Sequence, residues 1–139
     1  IMKTIFSEIK RKFKVDIEAE IVSAIKQQSR TKLKAALLKA VYYDMKDIFY
    51  EVNKASGVKG KKILVWIKIA TMDFKILEPF LALKSSRIPS AIKEEFINLA
   101  PLDKTFADEN IEDIRKRINV RGTLNNIEEN ILSVFPEFK

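Results

Sequence analysis

The stretch Lys61-Lys-Ile-Leu-Val-Trp-Ile-Lys-Ile-Ala-Thr-Met-Asp-Phe-Lys-Ile-Leu-Glu78 decides the fold. Ile63 to Ile67 is an unbroken apolar run, so the alternation expected of a half-buried strand fails. The polar positions Lys61, Lys68, Thr71, Lys75 and Glu78 instead recur at spacings of three, four and seven, which is the period of an α-helix. A helix that is apolar almost all round belongs inside a protein. The pattern therefore predicts a central hydrophobic helix over about 61–77, with Trp66 opposite the polar stripe and in the core. Ile63 to Met72 is interrupted by Lys68 and falls short of the roughly 20 apolar residues of a membrane span, so no transmembrane segment is expected.

Towards the start of the chain, Gly57 to Gly60 reads as a turn. Before it, Leu33, Leu37, Val41, Ile48 and Val52, flanked by Leu38, Tyr42, Met45 and Phe49, predict a long helix over about 31–55 with a wide apolar face. A break near Ser29 precedes it. Asp16 reads as the N-cap of a helix carrying Ile17, Ile21, Val22 and Ile25, and Met2, Ile5, Phe6, Ile9 and Phe13 give an amphipathic helix over 2–14. Ile1 reads as a remnant ahead of a natural start at Met2, and no secretory pattern follows.

In the other direction, Pro79 closes or kinks the central helix before a short apolar piece, Phe80 to Leu83. Pro89 suits the first turn of a helix with Ile92, Phe96 and Leu99 that stops before Pro101. Thr105 or Asp108 then caps a segment with Ile111, Ile114 and Ile118, ended by Gly122. Thr123 caps a last helix with Leu124, Ile127, Ile131 and Val134, stopped by Pro136. The expectation is one all-α domain over 1–139, a helical bundle of six to eight helices centred on 31–55 and 61–77.

Composition narrows the chemistry. Among 139 residues there is neither Cys nor His, which excludes disulfides, thiolate sites, Ser-His-Asp hydrolysis and His-ligated metals. With no complete catalytic motif either, a non-enzymatic protein without cofactor is expected, with a cytoplasmic location favoured by the charge composition. Net charge is +7, and it is uneven: residues 1–62 hold 15 Lys and Arg against 7 Asp and Glu, residues 63–139 only 11 against 12. Such asymmetry points to an anionic partner: nucleic acid, an anionic membrane or an acidic protein.

Three basic constellations are the candidates. Lys10, Arg11 and Lys14, with Lys3, lie away from the apolar face of the first helix, which could lie on a membrane or follow phosphates. Lys39, Tyr43, Lys46 and Tyr50 form a stripe of cations and rings suited to single-stranded nucleic acid or to a protein interface, or to a long helix packed on two sides whose tyrosines bury their rings against a neighbouring helix. The turn Lys54-Ala-Ser-Gly-Val-Lys-Gly-Lys-Lys62 gathers Lys54, Lys59, Lys61 and Lys62 around two glycines. Over about 25 residues it resembles a helix-hairpin-helix DNA-binding motif, Gly57-Val58 matching the hairpin opening, Val52 the preceding apolar position and Lys61 the basic one. The resemblance implies backbone N–H groups presented to a DNA phosphate. Lys59 stands where that motif has its second glycine, Gly60 is displaced by one, and Ile63 is bulky where a small residue is usual.

Two acidic sets and one basic run remain. Asp73 falls near Trp66, Ala70 and Leu77 on the apolar side of the central helix, where a carboxylate needs a partner; joined to Asp44 and Glu51 it would give an all-oxygen Mg²⁺ or Mn²⁺ site. Glu109 and Glu112 supply one ExxE spacing of the kind that helical pyrophosphohydrolases use, without a second. Arg115, Lys116, Arg117 and Arg121 suggest a helix-turn-helix, but the connection Ala100 to Thr105 is long for that motif, and Glu112–Lys116 and Asp113–Arg117 read as i, i+4 pairs on a helix whose charges complement its dipole. The function expected is a nucleic-acid-binding accessory or regulatory protein. The alternative is a protein-interaction module, such as a structural subunit, an immunity-type inhibitor or a viral factor, that binds an acidic protein and could form a homo-oligomer.

Overall fold

The computed structural model describes the backbone of residues 2–139 and the side chains from Thr4 onward, so Ile1 and the side chains of Met2 and Lys3 lie outside the described residues. Those residues form seven α-helices: α1 (Met2–Phe13), α2 (Ile17–Lys26), α3 (Arg30–Lys54), α4 (Gly60–Lys84), α5 (Arg87–Ile97), α6 (Ile111–Ile114) and α7 (Val120–Val134). Single 3-10 turns stand at Ala100–Leu102 and Pro136–Phe138. Among the described residues there is no strand, only an isolated antiparallel bridge between Lys59 and Asn110.

The early boundaries follow local chemistry. Asp16 accepts the Ala19 N–H at 3.0 Å and Ser29 accepts the Lys32 N–H at 3.1 Å, each satisfying a donor that the first turn of a helix leaves open. Gly57 takes φ +66°, a conformation that glycine adopts without steric cost, and turns the chain between α3 and α4. α3 packs most extensively on α4 and α2, while α4 also meets α5, α6, α7 and the first 3-10 turn. The core is continuous along these elements, from Tyr42, Met45 and Phe49 of α3 through Ile63, Phe74 and Leu81 of α4 to Ile127 and Ile131 of α7.

Three later expectations are corrected. Pro79 neither closes α4 nor leaves Phe80 to Leu83 as a separate piece: the helix runs through it to Lys84, with the proline on an exposed position. The segment expected over Ile111 to Ile118 is helical only to Ile114, and α7 starts at Val120, capped by Asn119 through the Gly122 N–H at 2.9 Å. Gly122 and Thr123 thus lie inside α7. Trp66 is only half-buried at the edge of the core, with the Lys62 ammonium 5.8 Å from its ring centre.

α6 starts no earlier than Ile111 because the residues before it are committed elsewhere. The Gly60 and Lys61 N–H groups donate to Glu109 O (2.8 Å) and Ala107 O (2.9 Å), and the Ile111 N–H donates to Val58 O (2.8 Å). A side chain at Gly60 would meet the Phe106 carbonyl, so this glycine lets the loop lie directly on the start of α4. At the far end of α3, Arg115 donates to Val52 O (2.7 Å), Asn53 O (2.9 Å) and Ala55 O (3.0 Å), and Arg121 adds a bond to Asn53 O at 3.2 Å. Carbonyls left open by the last turn are thereby satisfied by cations placed at the negative end of the helix dipole.

Candidate interaction surfaces

The lysine-rich turn is built differently from a phosphate cradle. Its N–H groups at Gly57, Gly60 and Lys61 donate to Glu112, Glu109 and Ala107, so the chain itself takes the donors that the helix-hairpin-helix resemblance would offer to DNA. The lysine side chains remain outside. Lys59, Lys61 and Lys62 are exposed, the Lys61 ammonium lies 3.8 Å from the exposed Asp108 carboxylate, and Lys54 lies 3.7 Å from Glu51.

On α1, Arg11 bonds Glu8 at 2.6 Å and Lys10 lies 3.3 Å from Asp16, both at the surface, while Lys14 is exposed with φ +60°. Lys12, absent from the sequence expectation, is the most committed cation: its side chain is 5% exposed and bridges Asp47 and Glu51 of α3, with Glu51 at 2.6 Å. Burial alone would lower its pKa, but the hydrogen bonds to Asp47 and Glu51 outweigh it and hold the group above the usual lysine value. Glu51 is held low in turn, chiefly by the hydrogen bond from Lys12.

The Lys39, Tyr43, Lys46, Tyr50 stripe does not form an open face. Tyr43 is buried and its hydroxyl donates to the Phe138 carbonyl at 2.7 Å. Lys39 pairs with Glu20 at 3.0 Å, and Lys46 lies over the Phe13 and Tyr43 rings at 5.1 and 5.6 Å. Tyr50 is partly exposed, edge-on to Phe13, with Lys12 and Lys54 over its ring. α1 therefore covers much of the stripe, and Tyr43 anchors the last residues of the sequence.

The acidic expectations separate as well. Glu51 is occupied by Lys12, Glu109 pairs with Arg117 at 3.1 Å and Glu112 accepts the Gly57 N–H, so neither the three-acid metal set nor the ExxE spacing is assembled. No group of three or more acidic side chains among the described residues could hold a metal ion. The expected i, i+4 pairs of this region are replaced too: Lys116 pairs with Asp113 at 3.9 Å, and Arg117 reaches Glu109 rather than Asp113. Asp73 and Asp44 do meet, on the floor of an apolar groove of about 280 Å³ between α1, α3 and α4, walled by Ile5, Phe6, Leu37 and Val41. Burial first, then the hydrogen bond and charge of Asp44, push the Asp73 carboxyl up to about 9. Its Oδ2 atom is buried without a hydrogen-bond partner.

Beside this groove runs the largest departure from the sequence reading. Val65 (55% exposed), Ile69 (45%), Met72 (64%) and Ile76 (51%) stand in line on the outer face of α4, continued past the exposed Pro79 by Leu83. At 100° per residue this line lies about 150° around the helix from the buried set Ile63, Ile67, Ala70, Phe74, Leu77 and Leu81. α4 thus presents apolar side chains to both core and solvent. Single exposed apolar residues are ordinary, whereas these four stand aligned along one face of the helix.

No helix of the described residues is long and apolar enough to cross a membrane, which removes a membrane span as the reason for that ridge. The chain matches no family model, no curated protein and no solved structure.

Proposed function

We propose that this chain is a non-enzymatic protein-interaction module of the cytoplasm whose working surface is the outer face of α4. The observation that carries the reading is the ridge of Val65, Ile69, Met72 and Ile76, four large apolar side chains aligned on the solvent face of the central helix. Covering them with a partner removes apolar surface from water, at about 25 cal/mol per Å² before the costs of association. Affinity purification from the native source tests it. Met72 is exposed, so Met72→Glu is expected to leave the fold intact, with stability within about 0.5 kcal/mol of the parent. The partner should survive nuclease treatment and be lost with Met72→Glu.

A second reading, nucleic-acid binding as an accessory or regulatory protein, is favoured by the exposure of Lys59, Lys61 and Lys62 at the start of α4, where among the described residues the only ion pair of the three is the long one from Lys61 to Asp108. If these lysines contact phosphates, replacing all three with Glu should weaken binding at every sequence. The slope of log K against log salt should fall by about 3, near one unit for each phosphate that a lysine had neutralised. Binding unchanged by that triple substitution or by salt would remove the reading.

A further inference from the structure

The exposed ridge on α4 is a narrow seam with charged edges, and both properties describe what fits it. Val65, Ile69, Met72, Ile76, Pro79 and Leu83 follow spacings of four, three, four, three and four, the pattern of a coiled-coil seam. Its four leading members span about 60° of the helix, narrower than the face of 100° or more of a helix lying on a flat core, and on the groove side the exposed Ile5 and Leu37 continue the apolar surface. A seam of that width takes side chains from one other helix, knob into hole. Along one edge, Lys61, Lys68 and Lys75 repeat every seven residues at the position next to the seam, and all three are exposed. Among the described residues, neither Lys68 nor Lys75 has a carboxylate within ion-pair distance, and the pair from Lys61 to Asp108 is long. The other edge carries Lys62 over Trp66 and Lys34 over Phe80 at 4.7 Å, while the one acid there, Asp73, turns into the groove beside Asp44. A second copy packed antiparallel would bring the lysine edges together, and one packed parallel would set them against Trp66, Asp73 and Phe80, of which the one acid, Asp73, is turned into the groove. We infer that the α4 seam binds an amphipathic helix of a partner protein whose apolar stripe repeats every seven residues and whose flanking positions are Asp or Glu.

This inference rests on the interaction reading above and names the partner's chemistry. The probes are two synthetic heptad peptides of about 21 residues, with Leu along the seam and either Glu or Lys at every flanking position; like charges keep each peptide from pairing with itself. Binding is followed by fluorescence of Trp66, at the edge of the seam. The Glu peptide is expected to bind about tenfold more tightly than the Lys peptide, the ratio that three exposed ion pairs supply, and to weaken with salt. Lys68→Glu with Lys75→Glu should reverse the preference, and Met72→Glu should abolish binding of both peptides. Equal affinity for the two peptides overturns the inference. So does binding to vesicles containing phosphatidylserine with neither peptide bound, or self-association of the chain that Met72→Glu abolishes. If neither peptide binds while Met72→Glu still loses the native partner, the acidic helix is refuted and the interaction surface stands. If Met72→Glu changes nothing in either assay, both fall.

Discussion

Phe138→Ala is expected to cost about 3–5 kcal/mol, the range for truncating a fully buried phenylalanine and leaving its cavity partly open. Total stability of such a domain is on the order of 5–15 kcal/mol, so one substitution next to the last residue of the sequence should lower the urea midpoint steeply. The cause is the position of the ring. Phe138 is 2% exposed, stacked on Phe135 at 4.8 Å and on Tyr42 at 5.5 Å between ring centres, and its carbonyl accepts the Tyr43 hydroxyl across 95 positions of sequence. Two controls separate packing from hydrogen bonding. Tyr43→Phe removes only the hydroxyl and should cost about 1 kcal/mol, whereas Lys139→Ala, at an exposed site, should be neutral within about 0.5 kcal/mol. Equal effects of Phe138→Ala and Lys139→Ala would refute the anchoring role.

The second large effect concerns pH. Asp73 holds its proton in the folded state up to about 9, against an ordinary value of 3.8. Between those values the folded chain binds a proton that the unfolded chain releases, so stability falls as pH rises across the window. Glu128, raised by burial against the opposing charge of Lys46, contributes with the same sign. The depressed carboxyls of Glu8, Asp16, Glu51 and Glu112 act oppositely, their contribution being present above ordinary carboxylate values and lost as acid protonates them. Stability should therefore be greater at pH 5 than at pH 8. Asp73→Asn keeps the shape without an ionisable proton and should raise stability at pH 8 by on the order of 2 kcal/mol, leaving the smaller slope due to Glu128. Urea denaturation at the two pH values checks this. A wild-type chain equally stable at both would show that Asp73 does not retain its proton.

The legible part of the fold was the part written in local chemistry. Asp16 and Ser29 cap helices because their side-chain oxygens reach N–H groups three residues on, and that depends on nothing distant. The turn at Gly57 and the helical character of 61–77 were readable for the same reason. What could not be read was which way α4 faces. Ile63, Ile67, Ala70, Phe74, Leu77 and Leu81 repeat with the same four-three spacing as Val65, Ile69, Met72, Ile76, Pro79 and Leu83, displaced by two residues. Two seams on one helix satisfy the periodicity equally, and the elements packed on α4, chiefly α3 and α5, select between them. Trp66 lies between the two seams, hence its half-burial. The burial of Tyr43 was legible only as one reading of the stripe among three, because the groups that cover it, α1 and Phe138, arrive from far along the chain. The basic surface was legible in amount but not in availability, since Lys12, Lys39 and Lys46 meet carboxylates and rings that the linear charge count does not reveal.

The guanidinium of Arg115 closes the end of α3 from 60 positions further along. A ribosome delivers the chain from its N-terminal end, so this helix emerges with its final carbonyls open to water and stays so until about as much chain again has been added. Over that interval α3 lacks its stopper and its last turn unwinds readily. Synthesis stalled before Arg115 would thus release a fragment with a frayed hinge at Val52 to Ala55, an opening for proteases that the finished protein keeps shut.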